Sequence, residues 1–165
     1  MKKLFLFLAL ISFFLCALPL GLMAEEQSPK LIPFKGYDLD GKAIDLGDSL
    51  GKKPIMIIFW ASWCPVCEDE IPKLNELVKK FQGRGMEFIG VNIGVNDSYK
   101  RAKAFSVRTK MDYPTLFDAT GTIGEQYMVQ GVPTMVLADK NGVIRFYGHA
   151  TPEISEENFA RLLAE

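Results

Sequence analysis

The feature that most restricts the fold is the unbroken apolar run Ile55-Met56-Ile57-Ile58-Phe59-Trp60, which opens after Pro54 and closes at Ala61. A run this short and this uniform reads as a strand buried on both faces, the environment of a central strand in a covered sheet. A helix follows at once. From Pro65 to about Gln82 the apolar residues Ile71, Leu74, Leu77, Val78 and Phe81 fall at spacings of three and four, and Gly83 stands where the helix should stop. Pro72 lies inside it and is expected to kink it. A second buried strand over 86–93 and a helix capped by Asn96 or Asp97 and running to about Lys110 repeat the pattern. Strands alternating with helices imply parallel pairing.

The flanks are antiparallel in character. Tyr37, Leu39, Ile44 and Leu46 alternate around Asp40-Gly41, so residues 31–47 read as a hairpin. A short strand is expected at 113–117 and a short helix at 121–128. Strands at 134–138 and 143–147 flank Asn141-Gly142, and Ser155 opens a last helix to about Ala164.

The first residues have another character. Lys2 and Lys3 precede an apolar run from Leu4 to Leu15 broken only by Ser12, and Pro19 and Gly21 end it before a polar stretch from Glu25 to Lys30. This is the pattern of an export signal cleaved after Ala24, or of a retained membrane tether through residues 4–23. Lipid attachment at Cys16 is disfavoured, because Phe13-Phe14-Leu15 lacks the small residue that a lipid box requires. The expected organisation is a signal or anchor over 1–24, a linker over 25–30 and a single domain over 31–165, in keeping with a length of 165 residues. Lysine and arginine number 19 against 20 acidic residues, and losing Lys2 and Lys3 makes the remainder more acidic. No nucleic-acid partner is expected, since such binding needs a basic footprint. Lys100, Arg101, Lys103, Arg108 and Lys110 read as the solvated face of a helix.

The chain has three cysteines, and Cys16 falls in the export segment. Cys64 and Cys67 remain, too close in sequence for their bond to add much by chain entropy. Exported domains that staple themselves with disulfides usually space more cysteines more widely. Zinc wants four ligands, and the chain holds one histidine, His149, which reads as a surface residue. The pair therefore reads as redox chemistry. Cys64 falls at a helix N-terminus, where free backbone N–H groups and the helix dipole favour a thiolate. Pro65 suits the first helical position. Cys67, one turn on, is expected to be more covered and to resolve a mixed disulfide by attacking Cys64. Glu70 shares that face. A partly desolvated carboxylate there is expected to have a raised pKa and to take the Cys67 proton.

The segment Phe59-Trp60-Ala61-Ser62-Trp63-Cys64-Pro65-Val66-Cys67 resembles the active site of the thioredoxin superfamily, and Gly131-Val132-Pro133-Thr134 resembles its cis-proline loop. The resemblance covers the chain from about residue 30 onward. It implies an α/β thioredoxin fold, a central mixed β-sheet flanked by helices, with an N-terminal β-hairpin and an insertion near 112–128 before the cis-proline loop. It also implies that Val132 and Pro133, with Trp63, Pro65 and Val66, meet the substrate, the Val132 backbone pairing with an extended chain. Thioredoxin carries a buried aspartate where this chain has Ile58, whereas the TlpA/ResA-like group carries a glutamate where this chain has Glu70. The chain is more similar to that group of extracytoplasmic thiol-disulfide oxidoreductases, found in the periplasm or on the outer face of the cytoplasmic membrane. The likeness implies no cofactor beyond a redox-active Cys64–Cys67 disulfide, a membrane thiol-reductant transporter as electron donor, and protein disulfides as substrates, the haem-site thiols of apocytochrome c among them. Pro65 and Val66 carry neither charge nor a side-chain hydrogen-bond donor, so a relatively reducing centre is expected. Two rivals fit less well. A peroxiredoxin-like thiol peroxidase would place Thr or Ser where Ala61 stands, and a copper-delivery module would space its cysteines more widely and use a better-placed histidine.

Overall fold

The computed structural model describes residues 28–165. The expected signal or anchor and the linker as far as Gln27 lie outside the described residues. In chain order come β1 (Lys35–Tyr37), β2 (Ala43–Asp45), β3 (Ile55–Trp60), α1 (Pro65–Phe81), β4 (Glu87–Asn92), α2 (Tyr99–Thr109), β5 (Thr115–Phe117), α3 (Thr122–Gln126), β6 (Thr134–Ala138), β7 (Ile144–Gly148) and α4 (Glu156–Ala164).

The apolar run does form the middle of the main sheet, whose order is β5-β4-β3-β6-β7. β3 pairs parallel with β4 and antiparallel with β6, and all its residues are buried. Its alternation divides the core. Met56 and Ile58 face Leu74, Val78 and Phe81 of α1 and Phe159 and Leu162 of α4. Ile55, Ile57 and Phe59 face Leu31, Phe34 and Leu46 from the N-terminal segment and Tyr127 beside α3. Each such side chain stabilises the fold by about 1.5–3 kcal/mol relative to exposure. The hairpin forms a separate two-stranded sheet. The Asp38 carboxylate accepts from the N–H groups of Asp40 and Lys42, both at 2.8 Å, and Gly41 takes the left-handed conformation at φ 82°. Tyr37, expected on an alternating face, is 72% exposed instead. The segment read as an insertion supplies β5, which extends the sheet by pairing with β4, and the short helix α3.

Three local expectations change. α1 ends at Phe81 with Gln82 as its C-cap, close to the expected bound, but Gly83 is not the left-handed stop: it lies in a 3-10 turn over Gln82–Arg84, and Gly85, at φ 98°, takes the left-handed position after it. The cap of α2 is Ser98, whose hydroxyl accepts from Arg101 N–H at 3.3 Å, while Asn96 and Asp97 precede the cap. The polar stretch is tied down before residue 31, since Ile144 N–H donates to Pro29 C=O and Lys30 bridges to Val143. α1 runs through Pro72 as one helix. Among the described residues no helix is long and apolar enough to cross a membrane.

Candidate functional site

The site sits where β3 ends and α1 begins. Cys64 is the N-cap of α1, in extended conformation, with Pro65 at the first helical position. Cys64 and Cys67 are joined in a disulfide, their Cα atoms 5.3 Å apart. The Cys67 N–H donates to Cys64 Sγ at 3.1 Å, so a helix-terminal donor already points at the sulfur that would carry charge on reduction. Cys64 is 5% and Cys67 4% exposed, so in the disulfide form both are buried and Cys67 is the more covered only by a margin. Both lie against Trp60, Ile71, Ala102 and Phe105, and Val132 packs on the same cluster. Trp60 stacks on Phe105 with centroids 5.0 Å apart, which floors the site.

Around the sulfurs the surface is apolar. Trp63 and Val66 are 47% and 54% exposed, and Pro65 is exposed beside them. Trp63 is fixed from one end, its indole Nε1–H donating to Val95 C=O at 2.7 Å. The Val132–Pro133 bond is cis, and Val132 O lies 3.6 Å from Cys64 Sγ. Trp63, Pro65, Val66, Val132 and Pro133 thus lie together around the cysteines.

Glu70 is buried at 7% exposed, one turn beyond Cys67. Its carboxylate accepts from Lys73 Nζ at 2.7 Å and from the Thr151 backbone N–H at 2.7 Å, and makes no hydrogen bond to either sulfur in the disulfide form. Its pKa is not raised, as the sequence had suggested, but lowered. Burial pushes it up, yet the Lys73 ammonium and the contacts from Thr151 outweigh burial and hold it below the usual range. Spacing along the helix places Glu70 correctly, but its partner Thr151 arrives from 81 residues away.

Sequence reasoning missed two further groups. The side chain of Asp97 is fully buried, and its carboxylate accepts from Ser62 N–H (2.7 Å), Ser62 Oγ–H (2.7 Å), Asn92 Nδ2–H (2.8 Å) and Ser98 N–H (2.8 Å). It clamps the turn that leads into Cys64. The signal available was the run of turn-forming residues after β4, since parallel strands β3 and β4 bring their C-terminal ends to the same edge. The second is His149, which is exposed as expected but whose ring Nδ1 lies 2.8 Å from Pro133 O. Of the basic residues on and just beyond α2, three are paired: Arg101 with Asp97, Lys103 with Asp40, and Arg108 with Glu68 of α1. Among the described residues no group of three or more His, Cys, Asp or Glu side chains is placed to hold a metal.

The class of the protein can now be stated. A model of the AhpC/TSA family matches residues 28–147, and the chain belongs to that family, with a thioredoxin fold. Thiol-disulfide oxidoreductase ResA of Bacillus thuringiensis subsp. konkukian is 35% identical over 127 residues, covering 76% of this chain and 72% of that protein. Thioredoxin-like protein YneN of Bacillus subtilis is 32% identical over 126 residues, covering 76% and 71%. Among solved structures, a putative thiol:disulfide interchange protein DsbE from Chlorobium tepidum matches with TM-score 0.68 at 25% identity, covering 82% of this chain and 93% of that one. A secreted Mycobacterium tuberculosis disulfide oxidoreductase homologous to DsbE matches with TM-score 0.63 at 25% identity, covering 80% and 96%. More particularly, then, this is a thiol-disulfide oxidoreductase of the ResA/DsbE type, with Cys64 and Cys67 as its redox pair.

Proposed function

We propose that this protein reduces protein disulfides outside the cytoplasm, with Cys64 as the nucleophile. The observation that carries this reading is the position of Cys64 Sγ, at the N-cap of α1, accepting from Cys67 N–H and lying beside Val132. In the reduced protein the Cys64 thiolate attacks one sulfur of a substrate disulfide. A Cys64–substrate bond forms, and the other substrate sulfur leaves as a thiolate. The Cys67 thiol then passes its proton to the Glu70 carboxylate and attacks Cys64 Sγ, closing the Cys64–Cys67 bond and releasing the second substrate thiolate. The substrate gains two electrons, which the cysteine pair loses. The lowered pKa leaves Glu70 ionised and able to accept the proton, as a weaker base than the raised pKa expected from the sequence would have made it. Trp63, Pro65, Val66, Val132 and Pro133 form the surface against which the substrate lies. The disulfide itself is the only redox group required.

An exported reductant needs electrons from across the membrane, for which a membrane thiol-reductant transporter is the donor, and residues 4–23 supply the export signal or a tether. The naming of one structural relative as secreted supports the extracytoplasmic placement. Disulfide-linked haem-site thiols of apocytochrome c are the substrate class favoured by the likeness to ResA.

The decisive experiment is a trap. A Cys67→Ser protein should accumulate mixed disulfides through Cys64, and their identification by mass spectrometry names the substrates; adducts that persist without Cys64 would refute the assignment. Glu70→Gln in the intact pair should slow the release step by about 10²-fold while sparing the first attack. Equilibration with glutathione should give a potential nearer that of thioredoxin, about −270 mV, than that of DsbA, about −120 mV. Hydrogen peroxide consumed faster than a peptide disulfide would favour the peroxidase reading instead.

A further inference from the structure

We propose that His149 is a positioning residue for the substrate loop, acting through its Nδ1–H on the carbonyl of Pro133. The inference rests on the exchange reading above and concerns how its substrate edge is held.

The β6–β7 ladder pairs Met135 with Gly148 and goes no further, so Pro133 and His149 lie just past its end. There the His149 ring takes over from the backbone, with Nδ1 2.8 Å from Pro133 O. A carbonyl oxygen only accepts, so Nδ1 must carry the hydrogen, which fixes the tautomer. Thr134 Oγ1, 3.3 Å from the same nitrogen, spends its own hydrogen on Gly131 O at 2.6 Å and faces the ring as a second acceptor. The carbonyls on either side of Val132 are therefore both pinned by side chains. Val132 itself has no backbone hydrogen-bond partner among the described residues, and its oxygen sits 3.6 Å from Cys64 Sγ. Its main-chain groups are left to pair with an incoming strand while the residues beside it are held still. Two residues beyond His149, the Thr151 N–H holds Glu70 at 2.7 Å, so one short segment after β7 fixes both the substrate edge and the proton acceptor. His149 is exposed and belongs to none of the three core clusters, so its contribution is to placement rather than to packing.

The test compares His149→Ala, His149→Asn and His149→Gln on two substrates. One is an extended peptide disulfide able to pair along Val132; the other is hydroxyethyl disulfide, which has no chain to pair. The Ala protein should lose about tenfold in kcat/KM on the peptide, mostly through KM, and stay within about twofold on the small disulfide. Asn, whose amide N–H reaches the place of Nδ1–H, should restore the peptide rate, whereas Gln, one bond longer, should not. Should the Ala protein unfold, the contrast between Asn and Gln carries the comparison alone. Equal losses on both substrates, no loss on the peptide, or equal rescue by Asn and Gln would each overturn the proposal. A wild-type protein that reduces neither substrate would instead overturn the exchange reading.

Discussion

At the residue scale, the least replaceable contact near the cysteines belongs to Asp97. Its carboxylate holds Ser62 by both the main-chain N–H and the hydroxyl, and so sets the course of the turn into Trp63 and Cys64. Asp97→Ala leaves the Ser62 N–H and the Asn92 amide without a partner, which should cost about 2–4 kcal/mol of stability in urea unfolding. A loss too small to measure would mean that water replaces the carboxylate. The same group gives a pH dependence of known sign. Burial pushes the Asp97 carboxyl up, but the hydrogen bonds from Asn92, Ser62 and Ser98 outweigh this and hold it below the usual range. A carboxyl lowered by folding binds fewer protons folded than unfolded. Its stabilisation is complete above the unfolded value of about 3.9 and disappears as pH falls through the lower folded value. Asp97→Asn should therefore flatten the acid limb of the stability profile while lowering the plateau above it.

At the element scale, the end of α1 offers a sharp contrast between two glycines. A Cβ on Gly83 would meet nothing within 4 Å, and its φ is not left-handed; Gly85 has equal space but sits at φ 98°. Gly83→Ala should be neutral or stabilise by up to about 1 kcal/mol through the unfolded chain, whereas Gly85→Ala should destabilise by about 1–2 kcal/mol. Thermal melts of the two single variants decide it, and equal effects would show that Gly83 carries the stop. The sequence pointed to the wrong glycine because a helical stripe ends visibly while a 3-10 extension leaves no periodic mark. The same logic separates what was legible from what was not. β3 and α1 were readable because a uniform apolar run and a spacing of three and four are local signals. The cap of α2 was ambiguous because Asn96, Asp97 and Ser98 are all capping residues, and only Ser62 and Asn92, arriving from elsewhere, turn Asp97 inward. The cysteines and the Val132–Pro133 loop could be named from motifs. The lowered pKa of Glu70 and the bond from His149 could not, because each depends on how the chain after β7 lies against α1 and β6.

At the scale of the whole molecule, the direction of electron flow is a statement about folding. The potential of the cysteine pair in the folded protein differs from that in the unfolded chain by the amount that the disulfide changes stability, with about 30 mV corresponding to about 1.4 kcal/mol. A strong oxidant of this fold is one whose reduced form is the more stable, because its surroundings favour the thiolate. Here the helix terminus and the Cys67 N–H favour charge at Cys64, but Pro65 and Val66 add none of the opposite sign. Glu68, in the first turn of α1, places a carboxylate on the same helix end, partly offset by its pairing with Arg108 on α2. The balance lacks the strong stabilisation that makes an oxidant. The disulfide form should therefore unfold at an equal or higher urea concentration than the dithiol form, measured with and without a reductant that leaves the rest of the chain unchanged. Arg108→Ala exposes the cysteines to the unpaired Glu68 charge, disfavours the thiolate and should widen the gap in favour of the disulfide, moving the potential to more negative values. A dithiol form clearly more stable than the disulfide form would make the protein an oxidant, whatever its substrates, and an Arg108→Ala shift in the opposite sense would show that Glu68 does not reach the sulfur.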